Sequence, residues 1–389
     1  MKVGAALSTA PEARAAAIEA AQGARKDIGD QAPSLAVVFA SPHFSPKADV
    51  LLDAVHEAAG PRALIGCVAE SVLGGSMEIE GAPAVAVWLA ALETDVETFS
   101  VEFSGDAEEP VLMGWPEEPS KAFIVVCDPY TFPADLLLGH VNESSPGTVI
   151  AGGMASGGSG PGQTVLFLDR RVLRSGAVGA RLTGDFDVVT LVSQGCRPVG
   201  SVFTVTRAEQ NVVYELGGKP AVDRIKELYA SLPQEDKQLL AQGLFVGRVI
   251  DEYKPEFERG DFLIRGVMGA DPESGAIAIG DRVQVGETVQ FHVRDAASAD
   301  EDLRATLERA GERIGGAPAG ALLFTCNGRG SRMFSTPSHD AALVTEKLAG
   351  APLAGFFCAG ELGPVGGKNF LHGFTASMAL LCRKASSGR

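Results

Sequence analysis

The pattern that most constrains the fold is one order of elements that occurs three times along the chain. Each copy contains an apolar strand, an amphipathic helix, a second apolar strand, a Gly-rich turn and a third strand. The copies occupy residues 34–92, 121–169 and 320–381. They are irregularly spaced and separated by other material, which indicates a duplicated α/β fold and not a solenoid.

The short strand–helix–strand connections favour parallel neighbours joined by a right-handed crossover. The third strand follows a tight turn, such as Gly74-Gly75 in the first copy, and is expected to pair antiparallel. We therefore predict an α/β chain with mixed sheets built from repeated β-α-β-β units and helices packed outside. An α+β arrangement is the alternative.

Between the second and third copies lies a region of another kind, with β-rich runs, a helix over 220–232 and meander-like strands. A chain of 389 residues also exceeds the usual length of a single core. We place a domain boundary at the Gly-Gly pair before Lys219. The predicted domains are two joined parts, residues 1–219 and 220–389.

Charge and cysteine usage exclude several classes of protein. The formal net charge of −16 argues against binding to nucleic acid or to an anionic membrane surface. No apolar run approaches the roughly 20 residues of a membrane-spanning helix, and no signal segment is evident, so we expect a cytoplasmic protein without membrane insertion. The six cysteines are far apart and form no CxxC pair, which favours reduced, buried thiols over disulfides or a metal site.

Candidate binding residues collect in the third copy, where strands end in Gly-rich loops. Asn327 and Arg329 follow the first strand, and Glu361, Asn369 and His372 follow the second. The strand ends of an open α/β sheet are the usual ligand crevice, and an arginine there can clamp a carboxylate or phosphate. Each residue also has a structural alternative, since such side chains commonly bond to their own loop backbone.

Two further residues complete the predicted binding set. Cys358 ends the second strand of the third copy and is expected to line the site, with a buried structural thiol as the alternative. Glu70 follows the corresponding strand of the first copy and is the repeat equivalent of Glu361. No nucleophile elbow, zinc-protease or dinucleotide-binding motif is present, so no catalytic residue is assigned.

Several long stretches resemble the FIST family. In the C-terminal part these are GALLFTCNGRG, SHDAALV and PLAGFFCAGELGPVGGKNFLHGFTAS. In the N-terminal part VGAALSTAPEARAAA, LAVVFASPH and ALIGCVAES are similar to the family's N domain, and VVYELGGKPAVDRIKEL to its link with the C domain. The chain thus resembles a stand-alone bacterial protein with FIST N and FIST C domains.

This resemblance implies a sensory role in signal transduction, with a small polar ligand such as an amino acid and an unidentified downstream signalling protein. No cofactor is expected, and a haem-binding gas sensor is a weaker alternative. The main alternative is a cysteine-dependent hydrolase or amidotransferase-like enzyme that uses Cys358 or Cys326 with His372. A third is a protein-interaction module. The sequence favours no particular oligomeric state.

Overall fold

The computed structural model describes residues 1–105, 111–118 and 120–384. The first half of the chain contains two of the three predicted units. Its elements are β1 (Lys2–Ser8), α1 (Ala13–Ile28), β2 (Leu35–Ala40), α2 (Ala48–Ala59), β3 (Ala63–Val68), β4 (Ser71–Gly74), β5 (Met77–Glu80), β6 (Val85–Ala91), β7 (Glu97–Ser104), β8 (Val111–Met113), β9 (Ala122–Cys127), α3 (Ala134–Ser144), β10 (Val149–Met154), β11 (Leu166–Leu168), β12 (Arg171–Leu173), β13 (Ala177–Leu182) and β14 (Phe186–Gln194).

The second half contains the intervening region and the third unit. Its elements are β15 (Cys196–Glu209), β16 (Val212–Leu216), β17 (Lys219–Pro220), α4 (Ala221–Ser231), α5 (Gln234–Gln242), β18 (Leu244–Val249), β19 (Phe262–Asp271), β20 (Ala276–Ile279), β21 (Thr288–Arg294), α6 (Ala296–Ile314), β22 (Gly320–Cys326), α7 (His339–Lys347), β23 (Leu353–Cys358), β24 (Glu361–Val365), β25 (Lys368–His372) and β26 (Thr375–Arg383).

Three mixed sheets share one strand order. They run β1-β6-β2-β3-β11-β12, β8-β7-β13-β9-β10-β24-β25 and β14-β26-β22-β23-β4-β5. In each, two parallel strands joined by a helix lie at the centre, and the last strand of the unit pairs antiparallel with the first. The predicted repeated β-α-β-β units, mixed sheets and α/β class are thus present.

The sequence predicts that each Gly-rich turn leads directly to the third strand, and this prediction is wrong. Each unit instead inserts a β-hairpin after its second parallel strand, and that hairpin joins the sheet of another unit. β4 pairs with β23, β11 with β3 and β24 with β10. Each unit therefore adds strands to another unit's sheet. Through β4 and β23, the N-terminal unit pairs with the C-terminal unit.

One glycine in each unit makes the parallel pairing possible. These three glycines lie directly opposite a residue of the first parallel strand, at Gly66, Gly152 and Gly355. A Cβ atom at any of them would lie 1.8 Å from the carbonyl oxygen of that opposite residue. No side chain fits at that distance, so the close approach of the two strands requires glycine.

The inner faces of the three sheets form a common apolar core, and the helices cover the outer faces. Phe39, Phe324 and Phe356 come from two different sheets and meet there, with ring centroids 4.8 to 6.4 Å apart. Each buried ring contributes roughly 1.5–3 kcal/mol. On the outside, α1 packs a stripe of buried alanines against the first sheet. The helices thus lie outside, as predicted.

The compact units are interleaved along the chain and do not coincide with the predicted division at 219/220. One unit comprises residues 1–192, 304–371 and the chain from 375 on, and the other comprises 193–303 and 372–374. The reason is the hairpin exchange, because β4, β11 and β24 each pair with the sheet of another strand–helix–strand unit. The last five residues of the predicted second domain, 385–389, lie outside the described residues.

The second compact unit, residues 193–303 and 372–374, has an antiparallel sheet in the order β15-β21-β18-β19-β20-β16-β17. Strand β15 also pairs with β16, which closes the sheet on itself. Helices α4 and α5 belong to it. No helix among the described residues is long and apolar enough to cross a membrane.

Candidate functional site

Arg329 lies in the loop after β22 and is fully buried. Its Nε donates to Asp340 Oδ2 at 2.6 Å and its Nη2 donates to Asp340 Oδ1 at 2.9 Å. This paired geometry is the strongest arrangement that an arginine and a carboxylate can form. Arg329 was predicted as an anion clamp for a ligand, but its charge is already balanced by Asp340 at the start of α7.

Asp340 is held in its charged form by its neighbours. Thr325 Oγ donates to Asp340 Oδ2 at 2.8 Å, and His339 Nδ1 lies 2.9 Å from Oδ1. Burial acts to raise the pKa of Asp340, but the Arg329 guanidinium and these hydrogen bonds outweigh it and hold the pKa well below its ordinary value. The His339 ring stacks on Phe334 at 3.6 Å between centroids, and Phe334 lies beneath the guanidinium.

Three of the predicted binding residues each leave one buried polar atom without a hydrogen-bond partner among the described residues. These atoms are Asn327 Oδ1, Arg329 Nη1 and Glu361 Oε1. Buried polar atoms are nearly always hydrogen-bonded, because losing water without a replacement costs about 1–3 kcal/mol each. Arg329 has charge interactions with both Cys326 and Glu361, and Asn327 follows Cys326 directly in the chain, so the three residues are neighbours. We call Asn327, Arg329 and Glu361 the β22–β24 cluster.

Glu361, the first residue of β24, is fully buried. Its Oε2 accepts hydrogen bonds from Thr375 N at 3.1 Å and Thr375 Oγ1 at 2.8 Å. Burial raises its pKa to about 8, although the Thr375 hydrogen bonds and the nearby Cys326 and Arg329 oppose that shift. The carboxyl group is therefore largely neutral at pH 7.

A second buried acid beside Asp340 comes from the far end of the sequence. Glu78, on β5, accepts a hydrogen bond from Ala341 N at 2.8 Å through Oε1, while its Oε2 is buried without a partner among the described residues. Burial, followed by the nearby Asp340 charge, raises its pKa to about 7. Sequence reasoning missed Glu78, because β5 is a hairpin strand that the third unit acquires by exchange.

The two candidate cysteines of the site differ in exposure. Cys358 is completely buried, and burial together with nearby Glu361 raises the pKa of its thiol well above the ordinary value. Cys326 is 9% exposed, and its Sγ accepts a hydrogen bond from Gly328 N at 3.4 Å. Cys358 thus lies beside the cluster but as a neutral, inaccessible thiol.

Asn369 and His372 lie elsewhere in the structure than predicted. The Asn369 side chain accepts from Ile150 N at 2.9 Å and donates to Thr148 O at 2.8 Å and to Asn142 Oδ1 at 3.1 Å, so it pins β25 beside α3. This full set of hydrogen bonds makes it a structural residue and not a ligand contact. His372 ends β25, is buried and groups with the second compact unit.

Glu70 is not the structural equivalent of Glu361. In the second sheet, Glu361 lies opposite the residue after the close-approach glycine Gly152. In the third sheet, the residue opposite the corresponding position, after Gly355, is Val72. Val72 is therefore the counterpart of Glu361, because the hairpin enters its sheet in a different register from the one that sequence alignment suggested. Glu70 instead forms a half-exposed ion pair with Arg332 in the loop after β22.

The same strand end is fully hydrogen-bonded in the other two units. After β2, the Ser41 hydroxyl accepts from Ala84 N at 3.0 Å. After β9, Asp128 accepts from Thr164 Oγ at 2.6 Å and from Tyr130 N at 3.2 Å. Neither side chain has an unpaired buried atom. Other described residues, such as Trp88 and His292, also have a buried polar atom without a partner, so the third unit differs in having three such atoms on neighbouring residues.

Two surface cavities were found away from the cluster. One of about 400 Å³ is lined by residues such as Met1, Asp185 and Lys384, and one of about 570 Å³ by residues such as Trp115 and His140. Several polar groups of the first cavity are used in ion pairs, such as Lys384–Asp185 and the N-terminus with Glu93. We therefore place the candidate site by its unsatisfied polar atoms and not by the size of these cavities.

Comparison with known proteins gives a consistent assignment along the chain. The model of the FIST N domain matches residues 34–219, and that of the FIST C domain matches residues 221–364. A protein of Mycobacterium tuberculosis H37Rv, described only as uncharacterized, is 49% identical over 98% of this chain and 99% of its own length. An uncharacterized protein of Mycobacterium bovis is 48% identical, with 98% of each chain covered.

Proposed function

The chain belongs to the FIST family, and on that basis we propose that it is a cytoplasmic sensory protein that binds a small polar metabolite at the β22–β24 cluster without catalysis. FIST domains are associated with sensing in signal transduction. The observation that carries the proposal is that the neighbouring residues Asn327, Arg329 and Glu361 each leave one buried polar atom without a hydrogen-bond partner among the described residues. A ligand that supplies the missing partners would recover the lost hydrogen bonds.

The charges of the cluster favour a zwitterion. Arg329 and Asp340 cancel each other, and Glu361, with a pKa of about 8, is largely neutral at pH 7. A ligand with net charge would leave that charge uncompensated in a buried site, which is costly. An amino acid fits these groups, with its carboxylate at Arg329 Nη1 and its ammonium group at Asn327 Oδ1.

A ligand reaches the cluster by opening of the loop between β22 and α7, because Arg329 and Glu361 have no exposed surface. That loop is held by surface contacts with residues at the ends of the β4–β5 hairpin. Arg332 pairs with Glu70, and Ser331 donates to Glu80 through both N and Oγ. Exposed pairs of this kind are each worth about 0–1 kcal/mol, so these surface contacts oppose opening only weakly. In this proposal Glu70 controls access to the cluster.

A cysteine-dependent enzyme is less well supported. Cys358 is inaccessible and its thiol resists ionisation, whereas a nucleophilic thiol needs a lowered pKa and access to substrate. We therefore assign no catalytic residue.

A thermal-shift screen of the standard amino acids against the full chain tests the proposal. A ligand at 100 times its Kd stabilises the folded state by about 2.7 kcal/mol. We expect at least one amino acid to raise the Tm, and Asn327→Ala to remove most of that rise. The matched control Asn211→Ala, in the second compact unit, should keep the rise in Tm. No stabilisation by any amino acid, or equal stabilisation of both variants, would contradict the proposal.

A further inference from the structure

Cys326 and Cys358 are direct neighbours on the two parallel strands of the third unit. They are register partners at the ends of β22 and β23. Each cysteine is two residues after a core phenylalanine, Phe324 or Phe356. Because side chains alternate between the two faces of a strand, both cysteine side chains lie on the same face as these rings. Adjacent strands are about 4.8 Å apart, and disulfide-linked Cα atoms are usually about 4.4–6.8 Å apart. The strand spacing therefore falls within the Cα range that a disulfide needs.

The two thiols differ in the way a redox pair requires. Cys326 has the greater exposure, accepts a hydrogen bond from Gly328 N and has two guanidinium groups nearby, those of Arg329 and Arg332. Partial exposure, positive charge and N–H donors are the surroundings in which reactive cysteines occur in proteins. Cys358 is completely buried beside it and cannot meet an oxidant from solvent.

We propose that Cys326 and Cys358 form a reversible disulfide when the protein meets hydrogen peroxide. The Cys326 thiolate attacks one peroxide oxygen and the O–O bond breaks, which gives a sulfenic acid and, after protonation, water. The Cys358 proton passes to the hydroxyl group of the sulfenic acid while the Cys358 sulfur attacks the Cys326 sulfur. The S–O bond breaks and the hydroxyl group leaves as water, so the step needs no separate Cys358 thiolate. The two sulfurs are oxidised together by two electrons and the peroxide is reduced to two waters. A dithiol reverses the change.

The disulfide would regulate the ligand site, and this consequence alone rests on the proposed function. Cys326 immediately precedes Asn327, whose backbone N–H donates to Cys358 O at 2.9 Å. Cross-linking the two strand ends fixes the start of the loop that must open, and it removes the Cys326 thiol from beside Glu361. Oxidised protein should therefore take up ligand more slowly than reduced protein.

Peptide mapping of the full chain after hydrogen peroxide treatment tests the cross-link without any ligand. Remaining thiols are blocked with N-ethylmaleimide under denaturing conditions before digestion. We expect a linked Cys326–Cys358 peptide that dithiothreitol removes. In Cys358→Ala the sulfenic acid has no partner, so dimedone labelling of Cys326 should rise from trace to near-complete. Cys326→Ala should show no cross-link, and the control Cys382→Ala should behave as wild type.

A wild-type chain that keeps both thiols under peroxide, or that links Cys358 to Cys67 instead, would overturn the proposal. Equal dimedone labelling of wild type and Cys358→Ala would also overturn it, because Cys358 would then not resolve the sulfenic acid. The wild-type map requires no substitution, so misfolding of a variant does not affect it. A mapped disulfide together with an unresponsive amino acid screen would refute the ligand proposal alone.

Discussion

Replacing Glu361 with Gln removes a buried carboxyl group whose ionisation opposes folding. Burial raises the pKa of Glu361 to about 8 in the folded protein, from an ordinary value of 4.5. Between these values the folded chain holds a proton that the unfolded chain releases, so this group's contribution to stability is full below pH 4.5 and is lost as the pH rises toward 8. From pH 5 to pH 8 the loss amounts to roughly 3 kcal/mol.

Glu361→Gln has nearly the same shape and cannot ionise. We expect wild type and variant to have similar free energies of unfolding at pH 5, and the variant to be more stable by roughly 3 kcal/mol at pH 8. Glu78, with a pKa of about 7, causes a smaller total loss of stability of the same sign over this range, and both proteins keep it.

Urea unfolding at several pH values from 5 to 8 measures this difference. Both tryptophans, Trp88 and Trp115, lie in the compact unit that contains Glu361, so their fluorescence reports its unfolding. Glu93→Gln, at a carboxylate that is 93% exposed, is the matched control and should leave the pH slope unchanged. A Glu361→Gln variant whose stability runs parallel to that of wild type across the range would refute the reasoning.

Three further substitutions test other contacts by the same unfolding assay. Asp340→Asn leaves the buried Arg329 charge uncompensated and should cost about 3–5 kcal/mol, and a loss below 1 kcal/mol would contradict a structural ion pair. Gly355→Ala should cost about 1–3 kcal/mol or more from overpacking. The helical control Gly311→Ala has open space around its Cα and should be neutral or slightly stabilising. Equal effects of the two substitutions would argue against the close approach of the strands. Asn369→Ala should lose about 1–3 kcal/mol for each buried group left unpaired but should not change ligand affinity.

The sequence predicted the local elements and the class of fold because the apolar runs and turn glycines are local signals. The exchange of hairpins was not predictable in that way. β24 pairs Leu362 with Gly152, about two hundred residues away, and its composition suits a local partner equally well. Which sheet receives a hairpin depends on long-range packing, which hydrophobic periodicity does not encode.

The candidate site was predictable in part. Asn327, Arg329 and Glu361 come together because they follow neighbouring parallel strands, which is a topological consequence of the strand–helix–strand order. The partner of Arg329 was not evident, because Asp340 at a helix start suits helix-dipole compensation equally well. Glu78 could not be found at all, since it reaches the site only through the exchanged hairpin.

Isothermal titration of the amino acid that most stabilises the protein, at pH 7 under reducing conditions, tests the central claim most directly. Loss of the Asn327 Oδ1 acceptor for an ammonium group should cost about 1.5–3 kcal/mol, which weakens binding by at least about tenfold. We predict this loss in Asn327→Ala and wild-type affinity in Asn211→Ala. Wild-type affinity in Asn327→Ala would show that the ligand binds outside the β22–β24 cluster.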